Sequence, residues 1–291
     1  GSGTLSPSAS QVTDASGRAQ TYLTLGSIGA IGVTASASGL TPVVFGATSI
    51  TGSPNHLVLV SGDGQMDPVG TALAAPIVVR LEDNYANPVS GATLAFTPGA
   101  TSGTLGSASP PTAITAATGQ AQTGFTLGTL AGDNAQWLTV TVAGFPAVPA
   151  LVVYEDPQPD EPVVISIVSG DAQTAAYGQT LAAPLVALVE DRYGNPVWGC
   201  LVSWTSTTGG TVVSNPSLTN ASGTTIVTAT LGSIPGMPAQ DFTATAGTVG
   251  VTFTATATGH HIDRIFPRRI WPGYPFDLEL QVLGGGFDTD A

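Results

Sequence analysis

The chain has 291 residues, enough for roughly two domains with separate hydrophobic cores. Hydrophobic residues make up 42%, but charged residues only 9%, against about 25% in an average soluble domain. The six basic residues are all arginine and the net charge is −13, so the cationic footprint that nucleic acid or anionic lipid requires is missing.

The 37 Gly and 22 Pro, with abundant Thr, Ser, Ala and Val, favour many short strands and turns. No apolar run approaches the ~18 residues needed to span a bilayer, so no membrane insertion is expected in this segment. The chain opens Gly1-Ser2-Gly3-Thr4, without the charged and apolar regions of a signal peptide, which predicts a window of a longer polypeptide. Within residues 1–52, Gly3-Thr4 returns later as Gly103-Thr104 and Gly210-Thr211. Thr24-Leu25-Gly26 likewise returns as Thr126-Leu127-Gly128 and Thr230-Leu231-Gly232. Residues 1–52 therefore match only the second half of a repeating unit, and would expose an apolar inner face and open strand edges.

The complete units span about 53–157 and 158–259. Ser61-Gly62-Asp63 returns as Ser169-Gly170-Asp171, and Leu73-Ala74-Ala75-Pro76 as Leu181-Ala182-Ala183-Pro184. EDNYANPVSGATLAF, from Glu82 to Phe96, returns as EDRYGNPVWGCLVSW, from Glu190 to Trp204. A period of about 100 residues is the size of an immunoglobulin-like sandwich rather than a solenoid turn. Between the units, Glu155-Asp156-Pro157-Gln158-Pro159-Asp160-Glu161-Pro162 reads as a semi-rigid, acid-solvated linker. Beyond His260 the composition changes, with half of the arginines and an aromatic-proline cluster.

Within the units, Val140 and Val142 alternate with Thr139 and Thr141, and Val251, Phe253 and Ala255 with Thr252, Thr254 and Thr256. This period-2 pattern predicts half-buried antiparallel strands. Leu23/Leu25, Phe125/Leu127 and Ala229/Leu231 fall at equivalent inward positions. Asn87-Pro88, Asn195-Pro196, Gly119 and Gly223 mark breaks. The predicted fold is all-β: tandem immunoglobulin-like antiparallel β-sandwiches arranged end to end.

Glu82-Asp83-Asn84-Tyr85-Ala86-Asn87-Pro88-Val89 and Glu190-Asp191-Arg192-Tyr193-Gly194-Asn195-Pro196-Val197 resemble the D-x-x-G-N-P-V signature of group 1 bacterial Ig-like domains. These are the repeats of invasin- and intimin-type surface proteins. Thr118-Gly119-Gln120-Ala121, Ala221-Ser222-Gly223-Thr224 and Asp14-Ala15-Ser16-Gly17-Arg18-Ala19 resemble the second half of that family's repeat. Ala86 stands where the family's motif has glycine. The stretch from Ile262-Asp263-Arg264-Ile265-Phe266-Pro267 to Gly285-Gly286-Phe287 resembles the opening of an IPT/TIG domain, giving a fourth, incomplete segment at 260–291. The resemblance implies a bacterial extracellular or cell-surface setting and a spacer or adhesive role, with no shared catalytic residues to carry over.

Candidate chemistry is sparse. A catalytic Cys200 would need a positioned histidine, yet His56, His260 and His261 lie at unit boundaries; Cys200 aligns with Ala92 and is expected in a core. The carboxylates of Glu82-Asp83 and Glu190-Asp191 are sequence neighbours that point to opposite sides of a strand, so a turn-forming and solvating role is expected of them. Loop oxygens of Asp63, Asp67, Asp83, Asn84 and Asn87 form a candidate calcium set without a complete calcium-loop pattern. Lysine is absent, which excludes an intramolecular Lys–Asn crosslink. Asn220-Ala221-Ser222 is a formal glycosylation sequon. Trp198, aligned with Ser90 on an outward face, Trp271 and Tyr274 form a candidate contact surface, whereas Phe276 is expected in the core of the final segment.

No cofactor is expected. The leading functional expectation is a non-catalytic rod-like spacer or adhesin stalk, with partners among neighbouring domains of the same long chain. Alternatives are a fibre or sheath subunit assembled from identical chains by strand complementation, and a carbohydrate- or receptor-binding module.

Overall fold

Threonine alternating with small apolar residues gives strands with one wet and one dry face, and two such sheets bury their dry faces against each other. The computed structural model describes residues 1–8, 10–207, 209–233 and 238–259 with side chains, and the backbone of two further strands at 261–266 and 281–285. The chain divides into two compact units, Gly1–Gln158 and Pro159–Ala291.

Unit one opens with two antiparallel hairpins, β1 (Gly3–Ser6) with β2 (Tyr22–Leu25) and β3 (Gly29–Ala35) with β4 (Val43–Ser49). Then follow β5 (His56–Ser61), β6 (Ile77–Glu82), β7 (Thr93–Ala100), β8 (Ser107–Ser109), β9 (Thr112–Ile114), β10 (Gln120–Thr126), β11 (Gln136–Val142) and β12 (Leu151–Glu155). They form two four-stranded sheets ordered β5-β6-β10-β8 and β12-β11-β7-β9. The chain changes sheet at every step from β6 to β11, so that β6, β8 and β10 lie in one sheet and β7, β9 and β11 in the other. Ile77, Val79, Leu81 and Phe125 of one sheet share a core with Leu94, Phe96, Leu138 and Val140 of the other.

Unit two repeats the plan with β13 (Val164–Ser169), β14 (Gln173–Ala176), β15 (Leu185–Glu190), β16 (Leu201–Ser206), β17 (Thr211–Val213), β18 (Ser217–Leu218), β19 (Thr224–Thr230), β20 (Ala239–Ala246) and β21 (Val249–Thr258). Its sheets are ordered β13-β15-β19-β17 and β14-β21-β20-β16-β18. Leu185, Ala187 and Val189 pack with Val202, Trp204, Phe242 and Phe253. Among the named strands one pairing departs from the antiparallel expectation: β14 runs parallel to β21, Gln173 opposite Ala255. Beyond the sandwich, β22 (His261–Phe266) and β23 (Gln281–Gly285) pair antiparallel; the rest of the IPT/TIG-like stretch lies outside the described residues.

The same turn precedes β10 and β19. Gly119 and Gly223 have φ of 74° and 69°, and a Cβ there would sit 2.8 Å from Leu81 O and 2.7 Å from Val189 O respectively. Only glycine fits that approach. In the N-terminal hairpins the inward pattern meets less cover: Leu25 is exposed although its counterparts Leu127 and Leu231 are buried, and Phe45 is 61% exposed.

The acidic linker differs from its expectation. Glu155 is the last residue of β12 and is buried, not solvated. The following residues are bound as well: Asp156 N donates to Gln65 O, Gln158 N to Asp67 O, and Val69 N to Gln158 O. Asp160 N in turn donates to Asp191 Oδ2. Pro159 is therefore the single residue between a segment fastened within unit one and a segment fastened within unit two.

Candidate functional site

The D-x-x-x-N-P stretches build one device twice. After β6 the chain turns at Asp83, whose N–H donates to Asn87 O (3.0 Å) while Ala86 N donates to Asp83 O (3.1 Å). Asp83 Oδ1 accepts the N–H groups of Tyr85 (2.8 Å) and Asn87 (2.9 Å), an Asx-type turn. Asp83 Oδ2 accepts Asn87 Nδ2 (3.0 Å) and, from the incoming chain, Gly52 N (2.8 Å). Asn87 Oδ1 accepts Ile28 N (3.2 Å), and Thr51 Oγ1 donates to Pro88 O (3.3 Å). A proline after Asn87 needs no N–H partner and holds Asn87 extended, which frees the asparagine side chain to close the box.

Asp191 does the same after β15. Oδ1 accepts Tyr193 N (2.8 Å) and Asn195 N (2.9 Å); Oδ2 accepts Asn195 Nδ2 (2.8 Å) and the incoming Asp160 N (3.0 Å). Arg192 Nε lies 3.0 Å from Asp160 Oδ2, and its guanidinium sits 4.7 Å over the Tyr193 ring. In both boxes a carboxylate accepts four donors, which an amide with its single oxygen cannot.

Asp83 and Asp191 are each 1% exposed, so the expected solvating role is corrected: these are buried acceptors. Burial opposes their ionisation, but the bonds from Asn87, Gly52 and Tyr85 outweigh it and bring Asp83 from its ordinary 3.8 down to about 2. Asp191 is lowered by the same balance, its donors being Asn195, Asp160 and Tyr193. The neighbouring Glu82 turns elsewhere: it pairs with His56 Nε2 at 3.0 Å and with Arg80. His56, read only as a boundary residue, is therefore in contact with a buried carboxylate.

The candidate calcium set does not come together. Asp83, Asn84 and Asn87 follow β6, whereas Asp63 and Asp67 follow β5, and antiparallel pairing puts these two strand ends at opposite ends of the hairpin. Asn84 is exposed, and Asp67 Oδ2 accepts Ala74 N at 2.9 Å. Among the described residues no three Asp, Glu, His or Cys groups converge on a metal position. Trp198, expected on an outward face, lies half-buried in the turn before β16. Trp271, Tyr274, Phe276 and His260 lie outside the described residues, as does the side chain of His261. Cys200 packs at the margin of the unit-two core, and burial pushes its thiol up. Asn220 of the sequon is exposed and caps its own turn, Oδ1 accepting Ser222 N and Thr224 N.

Two glutamine cages escaped the sequence reading. Gln65 Nε2 donates to Gly62 O and Ala75 O while Oε1 accepts Ala75 N. Gln173 makes the same three bonds with Gly170 and Ala183. Gln136 and Gln240, both buried, accept Gly128 N and Gly232 N. Their recurrence in register was the available signal.

No protein-family model matches the sequence, and no curated protein matches it. Among solved structures, the chain is similar to the Escherichia coli adhesin FdeC, at 17% identity over 88% of this chain and 82% of that one, with a TM-score of 0.48. It is similar to Yersinia pseudotuberculosis InvD at 18% identity, over 72% of this chain and 60% of that one, with a TM-score of 0.45. The match to invasin, described as a bacterial integrin-binding protein, has 20% identity and a TM-score of 0.30, over 72% of this chain and 42% of that one. The chain spans less than half of the invasin structure.

Proposed function

We propose that the chain is a non-catalytic structural segment of a bacterial cell-surface protein, a stalk that spaces other parts of the molecule from the cell. The observation that carries this is the repeated carboxylate box. Asp83 takes the backbone of residue 52 and Asp191 that of residue 160, so each complete repeat grips the chain just before its first strand. Four donors on one buried carboxylate resist bending at that point, which suits a load-bearing spacer better than a flexible tether.

Small-angle scattering of the 291-residue protein tests this: an elongated distance distribution is expected, and a globular one would overturn the spacer assignment. Asp191→Ala should broaden the distribution while leaving the β-sheet circular dichroism in place.

The exposed apolar hairpin of β3 and β4, with Val43, Val44 and Phe45 in solvent, supports a second reading in which identical chains associate through this region. Light scattering of 1–291 beside 53–291 separates the two. Concentration-dependent assembly that depends on the first 52 residues favours association, and equal behaviour removes it.

A further inference from the structure

Unit one carries a buried acid that its sister repeat lacks. Glu155, at the end of β12, is 0% exposed and pairs across the sheet with Gln136. In unit two the partner of the equivalent Gln240 is Ala255. Glu155 Oε2 accepts Gln65 N at 2.8 Å, but Oε1 is buried with no hydrogen-bond partner. The charges that bear on it are all of its own sign: Asp63 and Asp67 from the loop after β5, and Asp156 from its own strand end. Asp156 is itself held by Asn134 N at 2.7 Å, from the turn that also contains Asp133. Gln136, on the neighbouring strand, is neutral.

The position matters because Glu155 begins the stretch that fastens the departing chain. Gly64 N donates to Tyr154 O, Asp156 N to Gln65 O, Gln158 N to Asp67 O and Val69 N to Gln158 O. The 64–69 loop and residues 154–158 thus lie together as a short ladder with Glu155 at its centre. In unit two the matching ladder, β14 on β21, is tied differently: Asp171 Oδ1, at the exposed end, accepts Thr254 N at 2.7 Å and Thr254 Oγ1 at 3.0 Å.

We propose that Glu155 is a proton-operated latch on this ladder, holding residues 156–158 against the 64–69 loop while its carboxyl is neutral and loosening them when it ionises. Burial above all pushes Glu155 from its ordinary 4.5 up to about 7; the Gln65 amide pulls the other way, and Asp63, Asp156 and Asp67 each add a smaller upward push. In the opened ladder the acid meets water and returns to its ordinary range. The closed form therefore binds the extra proton, and closure weakens as the pH rises from about 4.5 to about 7. The loss levels off about one pH unit above the folded value.

Hydrogen exchange on the 291-residue protein, read by mass spectrometry, tests the latch with the unit-two ladder as internal reference. Between pH 6 and 8.5, protection of residues 64–69 and 156–158 should fall roughly tenfold relative to residues 172–176 and 254–258. Glu155→Gln, which keeps the volume and cannot ionise, should remove the difference. An equal pH response in the parent and Glu155→Gln would overturn the proposal. Carbon-detected NMR titration of the Glu155 carboxyl in the unaltered protein gives an answer that needs no variant; titration near 4.5 sinks the latch. Protection restored at pH 8.5 by millimolar calcium, and lost in Glu155→Gln, would assign a cation site instead and overturn the proton mechanism.

Discussion

The two boxes differ at two positions, Asn84 against Arg192 and Ala86 against Gly194. Ala86 has φ of 62° where Gly194 has φ of 81°, so the turn is the same although one residue carries a Cβ. A left-handed alanine costs roughly 1–2 kcal/mol, and glycine gives back part of this through the entropy of its unfolded chain. Ala86→Gly should therefore stabilise unit one by about 0.5–1 kcal/mol, measured by chemical denaturation. Gly194→Ala should destabilise unit two by a similar amount, since its Cβ would enter open space and meet only the backbone preference. The Asp83 carboxylate adds a pH term of the opposite sense to Glu155. Its folded value lies below its unfolded one, so its stabilisation is full above about pH 4 and is lost as the pH falls towards 2. An acid melt of Asp83→Asn should be flatter over that window than that of the parent.

At the scale of elements, each box ties the end of one strand to the chain entering the next. β6 ends in the Asp83 turn, and Asn55 N, one residue before β5, donates to Glu82 O; Val163 N donates to Glu190 O in the same way before β13. Removing the carboxylate strands several buried donors at once, so Asp191→Ala should cost about 3 kcal/mol in unit two, with a lowered denaturation midpoint and an unchanged far-ultraviolet spectrum. Phe253, fully buried and 5.5 Å from the Trp204 ring, fills the middle of the unit-two sandwich. Phe253→Ala should cost about 3–5 kcal/mol through lost burial and the cavity left behind.

For the whole molecule, two separately packed cores predict separable unfolding. Calorimetry of Phe253→Ala should move the transition of unit two and leave that of unit one in place; a single transition moving as a whole would mean that the units unfold together. The low charge density shapes the surface in both units. Strand faces are wetted by Thr pairs such as Thr243 with Thr252 (3.0 Å between hydroxyls) rather than by ion pairs. Stability away from the carboxylates discussed above should therefore respond weakly to salt.

The repeat and the alternation were legible in the amino-acid order because both are local. Val140 and Val142 go inside and Thr141 outside through the pleat alone, and Leu94 and Phe96 pair with Val202 and Trp204 by simple alignment. The Asp-to-Asn spacing announced a turn. Its burial, and the donation from Gly52 and Asp160, depend on where residues some thirty positions earlier return in space. Glu155 was read as part of a solvated linker because its sequence neighbours are acids and prolines. Only the pairing of β12 with β11, which sets Glu155 opposite Gln136 under the 64–69 loop, makes it an interior acid. The sequence by itself determined the alternating strands and the sandwich class, since these follow from periodicity. The tertiary structure decided which carboxylates are solvent-facing and which are structural, because solvation is set by what the folded chain lays over a residue.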